Sequence, residues 1–226
     1  MKAIGYACSA RSFSGRNGSD SLSLQICEAE GERAAFALIA RAGGEREHAD
    51  VAGATAVRMY REWFGARLRG FFGTGFDSDQ IHSEFMRIKR ELSKRVYDYG
   101  IKNRIMLKID VSAALFAEGA YCIYCGDETC AIKLTPQSCE MISVQYCDET
   151  PPDYCSGQAA KGDVYLLYTK EIGDIYSPET LRKCFMPEKA GNILTVRMRL
   201  SHLTETCTRR YGLGNSSAIL VHFPED

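Results

Sequence analysis

The chain predicts an α+β domain: two antiparallel sheets packed face to face, with helices on the outside. Three observations carry this. Strand-like apolar runs occupy both ends, two long helical patterns stand next to each other between them, and no linker, repeat or composition shift divides the 226 residues. Residues 1–226 therefore read as a single domain.

Residues 3–8 and 22–28 each have strand character, and the link between them, from Ser12 to Ser21, is rich in Ser, Gly and Asn and reads as an exposed loop. Residues 34–40 are continuously apolar, as in a strand buried on both faces, and run into Arg41-Ala42-Gly43-Gly44. A helix follows over residues 49–68, with Val57, Tyr60, Phe64 and Leu68 spaced three or four apart. Asp77, with Gln80 three residues on, opens a second helix whose stripe is Ile81, Phe85, Ile88, Leu92 and Val96. Residues 106–116, 121–125, 129–134 and 141–146 read as strands of an antiparallel meander, and residues 150–158 as a loop. Then come a buried strand at 163–169, a short helix opened by Ser177-Pro178-Glu179, a helix over 193–207 and a last strand at 218–223.

Lys plus Arg is 28 and Asp plus Glu is 29, so the net charge of −1 gives no electrostatic reason to expect nucleic acid or an anionic membrane as partner. No apolar run approaches a membrane span, and the stretch from Met1 to Cys8 is too short for a signal peptide, so a cytoplasmic protein is expected. Ten cysteines are spread along the chain, and in a reducing compartment they read as small apolar side chains. The cluster Cys122, Cys125, Cys130 has no second pair or histidines at ligand spacing. It also falls in strand-like sequence, where residues three apart point to opposite faces.

The order of elements, together with five local strings, resembles the metal-dependent Ser/Thr protein phosphatases of the type 2C, or PPM, class, in its bacterial form. The strings are Arg16-Asn-Gly-Ser-Asp20-Ser21, Ile39-Ala-Arg41-Ala42-Gly43-Gly44, Gly126-Asp127-Glu128, the run from Leu166 to Asp174, and Gly214-Asn215-Ser216-Ser217. The resemblance implies a sandwich of two sheets between helices. It also implies hydrolysis of phosphoprotein monoesters by a water activated between two Mn²⁺ or Mg²⁺ ions, which need several oxygen ligands.

By the same resemblance, Asp20 is the one metal ligand kept. Its neighbouring Glu is Ser19, the bridging aspartate is Arg41, the glycine whose carbonyl joins it is Ala42, and the two later aspartates are Lys170 and Gly214. The family's phosphate-binding arginine falls on Gly15 or Arg16, and the substrate flap, at about 140–161, is shortened. A guanidinium about 4 Å from a divalent ion repels it by roughly 8 kcal/mol at an effective dielectric near 20. The expectation is a pseudophosphatase needing no cofactor, which serves as a phosphoprotein-binding or regulatory module with a phosphoprotein or kinase partner. Arg16, Arg41 and Lys170 then either hold phosphate or fill the lost metal site, with Asp20 between Arg41 and Lys170. The alternative is a divergent active phosphatase using Mn²⁺ or Mg²⁺, with Asp127, Asp163 and Asp174 as a shifted ligand set. An enzyme of another class finds little support: none of the four histidines is brought to a cysteine, and Gly212-Leu-Gly214 lacks the third glycine of a dinucleotide loop.

Overall fold

The computed structural model describes residues 3–10, 18–29, 32–71, 76–142, 154–186, 188, 192–211 and 215–224. Strands β1 (Ile4–Ala10), β2 (Ser19–Ala29) and β3 (Glu32–Gly43) lead into helices α1 (Arg46–Phe71) and α2 (Ser78–Asn103). Strands β4 (Lys108–Ala117), β5 (Ala120–Tyr124), β6 (Thr129–Leu134), β7 (Cys139–Met141), β8 (Tyr154–Gln158) and β9 (Val164–Thr169) follow. Helices α3 (Lys170–Ile175), α4 (Pro178–Phe185) and α5 (Ile193–Tyr211) precede the last strand, β10 (Ser216–His222).

Two five-stranded antiparallel sheets result, one in the order β1-β10-β9-β6-β7 and the other β2-β3-β4-β5-β8. Strand alternation gives each sheet two apolar faces. Along β3, Ala34, Phe36, Leu38, Ala40 and Ala42 pack against α1 and α2, whereas Ala35, Ala37 and Ile39 face the other sheet. On β9 and β10, Leu167, Ile219 and Val221 return that inter-sheet contact, while Leu166 and Leu220 meet the helices α3 to α5 on the far side. Four layers therefore enclose three apolar interfaces, and the predicted sandwich with outer helices is the observed architecture.

Asp77 caps α2, accepting the Gln80 backbone N–H at 3.0 Å, and Ile81, Phe85, Ile88, Leu92 and Val96 are buried. Ser177 caps α4 with Pro178 in the first turn. Cys122 lies on the helix side of its sheet and Cys125 on the inter-sheet side, as strand alternation requires.

Three expectations are corrected. The meander is split, because β4 and β5 form a hairpin in one sheet whereas β6 and β7 pair in the other. Alternation records which residues share a face, but not which sheet receives the strand. Residues 154–158, read as loop, form edge strand β8 on β5; backbone pairing draws in a polar, glycine-containing segment of weak strand propensity. Helix α3 was not predicted, since six residues with one buried apolar side chain, Ile172, carry no readable period. Of the shortened flap, residues 143–153 lie outside the described residues, as do Gly15, Arg16 and Gly214.

Candidate functional site

Arg41 carries the outermost side chain of the β3 row that faces the opposite sheet, with only Gly43 beyond it, so it stands where the sandwich opens. The register sets it between two aspartates, with Asp20 opposite on β2 and Asp110 opposite on β4. Side chains so paired lie about 5 Å apart at Cβ on one face. Gly44 completes the turn beyond with a positive φ of 126°, and a side chain there would strike Leu107. The glycines bring the β3 end close to the first loop, where the Gly18 N–H donates to the Gly44 carbonyl at 2.9 Å.

The far side of the opening is built by the other sheet. β9 ends at Thr169 and passes directly into α3, so Lys170 and Glu171 occupy the first turn of that helix. Glu171 reaches back across the sandwich and accepts both terminal nitrogens of Arg41, one at 2.7 Å. Arg41 Nε is 3.6 Å from Asp20 Oδ1, Nη1 is 3.8 Å from Glu128, and Nη2 donates to the Asn215 carbonyl at 3.4 Å. Side-chain exposure is 17% for Arg41, 15% for Glu171 and 2% for Asp20, so this is a sheltered cluster.

Electrostatics follow from that burial. Desolvation acts against the charge of Arg41, but the Glu171 hydrogen bonds and the surrounding carboxylates outweigh it and hold the guanidinium protonated. For Asp20, burial dominates and pushes the carboxyl above the usual range, with Arg41 and the Ser217 hydroxyl acting in the opposite direction. Asp20 Oδ2 accepts that hydroxyl at 2.8 Å, whereas Oδ1 is buried with Arg41 nearby and has no hydrogen-bond donor among the described residues.

Gly126-Asp127-Glu128 is the point at which the chain crosses from one sheet to the other. Ser112 Oγ accepts the Gly126 N–H at 2.7 Å, Asp110 Oδ2 accepts the Glu128 N–H at 2.9 Å, and the Glu128 carbonyl accepts from Lys170 at 3.0 Å. Any side chain at Gly126 would overlap the Asp110 carboxylate, so only glycine lets this strap lie on β4. Burial also raises the Asp110 carboxyl, against hydrogen bonds that lower it.

In front of the cluster lies a cleft of about 920 Å³. Asp20, Arg41, Asp110, Asp127 and Glu128 line one part of it, and Lys89, Tyr97, Leu107 and Lys108 another. The expected site residues divide accordingly. Asp20 and Arg41 are together, Ala42 turns its methyl to the helix-side core, and Ser19 donates to Asp50 on α1. Lys170 is exposed and does not line the cleft, so it is not the second cation beside Asp20; Glu171, one residue on, takes the inward place. Of the shifted acidic set, only Asp127 borders the cleft. Asp163 lies at the other end of β9 in an ion pair with Lys133 at 2.8 Å, and Asp174 is exposed on α3. Sequence reasoning missed Glu171 and Asp110 as members of the site. A search for carboxylates near strand ends to answer Arg41 finds Glu171, whereas Asp110 is visible only once the β3–β4 register is known.

No family model and no curated protein matches the chain. Solved structures do. A serine/threonine phosphatase from Mycobacterium tuberculosis superposes with a TM-score of 0.70 at 15% identity, over 99% of each chain. One from S. agalactiae gives 0.72 at 12% identity, over 99% of this chain and 100% of that one. The PP2C phosphatase domain of SpoIIE from Bacillus subtilis, with part of its regulatory domain, gives 0.59 at 12% identity, over 100% of this chain and 64% of that one. The chain thus has the fold of the type 2C serine/threonine phosphatases over its full length.

Proposed function

We propose that the protein is a pseudophosphatase of type 2C fold, in which a guanidinium replaces the metal centre, and that it serves as a regulatory or phosphoprotein-binding module. One observation carries this reading: Arg41 sits among Asp20, Glu128 and Glu171, the carboxylates a cation at this place would use. Manganese is present in the structure of the related phosphatase PstP. The residues here do not fit such a pair of ions. The centre of the cluster already carries a fixed positive charge held by the two hydrogen bonds that Arg41 donates to Glu171, and a divalent ion beside it meets repulsion of several kcal/mol. Among the described residues, no group of three or more His, Cys, Asp or Glu is placed to hold a metal.

The Arg41–Glu171 hydrogen bonds support a space-filling role for Arg41 over phosphate binding, because a phosphate must first displace Glu171. Divergent phosphatase activity is the second reading, favoured by Asp20, Asp110, Asp127 and Glu128 all lining one cleft. Aryl-phosphate turnover with added Mn²⁺, paired with calorimetric titration of Mn²⁺, separates the two. We expect neither turnover nor binding heat. Mn²⁺-dependent turnover that disappears in Asp20→Ala overturns the pseudophosphatase reading.

A further inference from the structure

We infer that the C-terminal half of α2, with the segment leading into β4, is a docking strip for an acidic segment of a protein partner, on the rim of the cleft. The inference rests on the regulatory-module reading and names the partner's chemistry.

From Arg87 to Lys108 the chain holds eight Lys or Arg residues against two carboxylates, Glu91 and Asp98, although the whole protein has a net charge of −1. Arg87 and Arg95 pair with Glu91. Arg90, Lys94, Lys102, Arg104 and Lys108 are exposed and pair with no carboxylate among the described residues. The helix dipole accounts for Lys102 and Arg104 at the last turn, but Arg90 and Lys94 lie turns away and Lys108 lies beyond the helix.

The charged strip is also apolar. Tyr97 and Ile101 stand four apart, on one helix face, at 66% and 63% exposure, and Met106 just past the helix end is 88% exposed. Leu107 and Tyr97 line the cleft, so the strip runs into its wall. Exposed aromatic and aliphatic side chains interleaved with unpaired cations match a partner chain that carries carboxylates and a few apolar side chains. Asp127 and Glu128 border the same cleft and repel such a chain, which confines it to the α2 side. They argue against an anionic bilayer, which would spread over both rims where a single extended segment need touch only one.

The test uses the full chain and fluorescence anisotropy with a labelled twelve-residue peptide of Asp and Glu containing one Leu and one Phe. The control peptide carries Lys at every acidic position. We expect the acidic peptide to bind and the control not to. Affinity should fall about tenfold in the triple variant Lys94→Glu, Lys102→Glu, Lys108→Glu and about threefold in Tyr97→Ala, and should weaken as NaCl rises from about 50 to about 200 mM. All four substituted positions are exposed, and thermal unfolding checks that the variants are folded. Equal binding by the triple variant, binding of the basic control, or tighter binding to phosphatidylglycerol vesicles or duplex DNA than to the acidic peptide overturns the inference. None of these outcomes touches the Arg41 cluster, whereas Mn²⁺-dependent turnover overturns the pseudophosphatase reading and leaves the strip in place.

Discussion

The two poles of the sandwich each hold a sheltered cation and carboxylate, yet they are built differently. At one pole Lys133 on β6 meets Asp163 at 2.8 Å and the Gln158 carbonyl at 3.2 Å, and it lies 5.8 and 5.6 Å from the Tyr121 and Tyr165 ring centroids. Phe116 and Phe223 close the surround. At the other pole, a β9 length of about 20 Å away, Arg41 has more carboxylates than it can neutralise and faces a cleft. The first ion pair is capped by rings and completes an interior. The second borders a space large enough for a ligand, with Asp20 Oδ1 left without a donor among the described residues. Burial of an ion pair therefore does not mark a site; a surplus of one charge beside open volume does.

Removing one partner at each pole tests that contrast most strongly. Asp163→Ala removes the buried carboxylate that Lys133 meets among the rings and should cost about 3–5 kcal/mol in urea unfolding. Arg41→Ala should cost about 2 kcal/mol, because the cleft lets water reach the carboxylates left behind. If Arg41→Ala proves the more damaging, the open pole is a structural keystone and the contrast fails.

The next effect is a pH dependence. Because burial raises the Asp20 carboxyl, the folded state binds this proton more tightly than the unfolded chain. That stabilisation is full below the ordinary aspartate value of about 4 and is lost as pH rises through the higher folded-state value. Asp20→Asn has no such titration, so wild-type stability should fall relative to the variant as pH rises above about 4 in paired urea titrations. The opposite slope would mean that Arg41 dominates burial at this carboxyl. The smallest effect is expected for Lys170→Ala, within about 0.5 kcal/mol, since its side chain is exposed. A loss above about 1 kcal/mol would bring Lys170 into the cluster.

How much of this was legible in the sequence depended on the kind of signal. The α2 stripe from Ile81 to Val96 and the Arg41 turn before Gly43-Gly44 were readable, because period and glycine chemistry are local. Glu171 was hidden by the brevity of α3, and the role of Asp110 is a matter of register, set by which strand lies beside β3. Lys170 was expected inside the site because alignment to a motif places a residue along the chain without saying which way its side chain turns. The entry into α3 rotates Lys170 outward and Glu171 inward.

The position of β10 between β1 and β9 also governs how the molecule can be made. Residues 4–10 leave the ribosome long before their sheet partner, 216–222. β9 likewise lacks one of its two neighbours until then. The other sheet has all its strands once residue 158 has emerged. The nascent chain thus passes through a stage with one sheet complete and the apolar face meant for the second still wet, a species prone to aggregate and a natural client for chaperones.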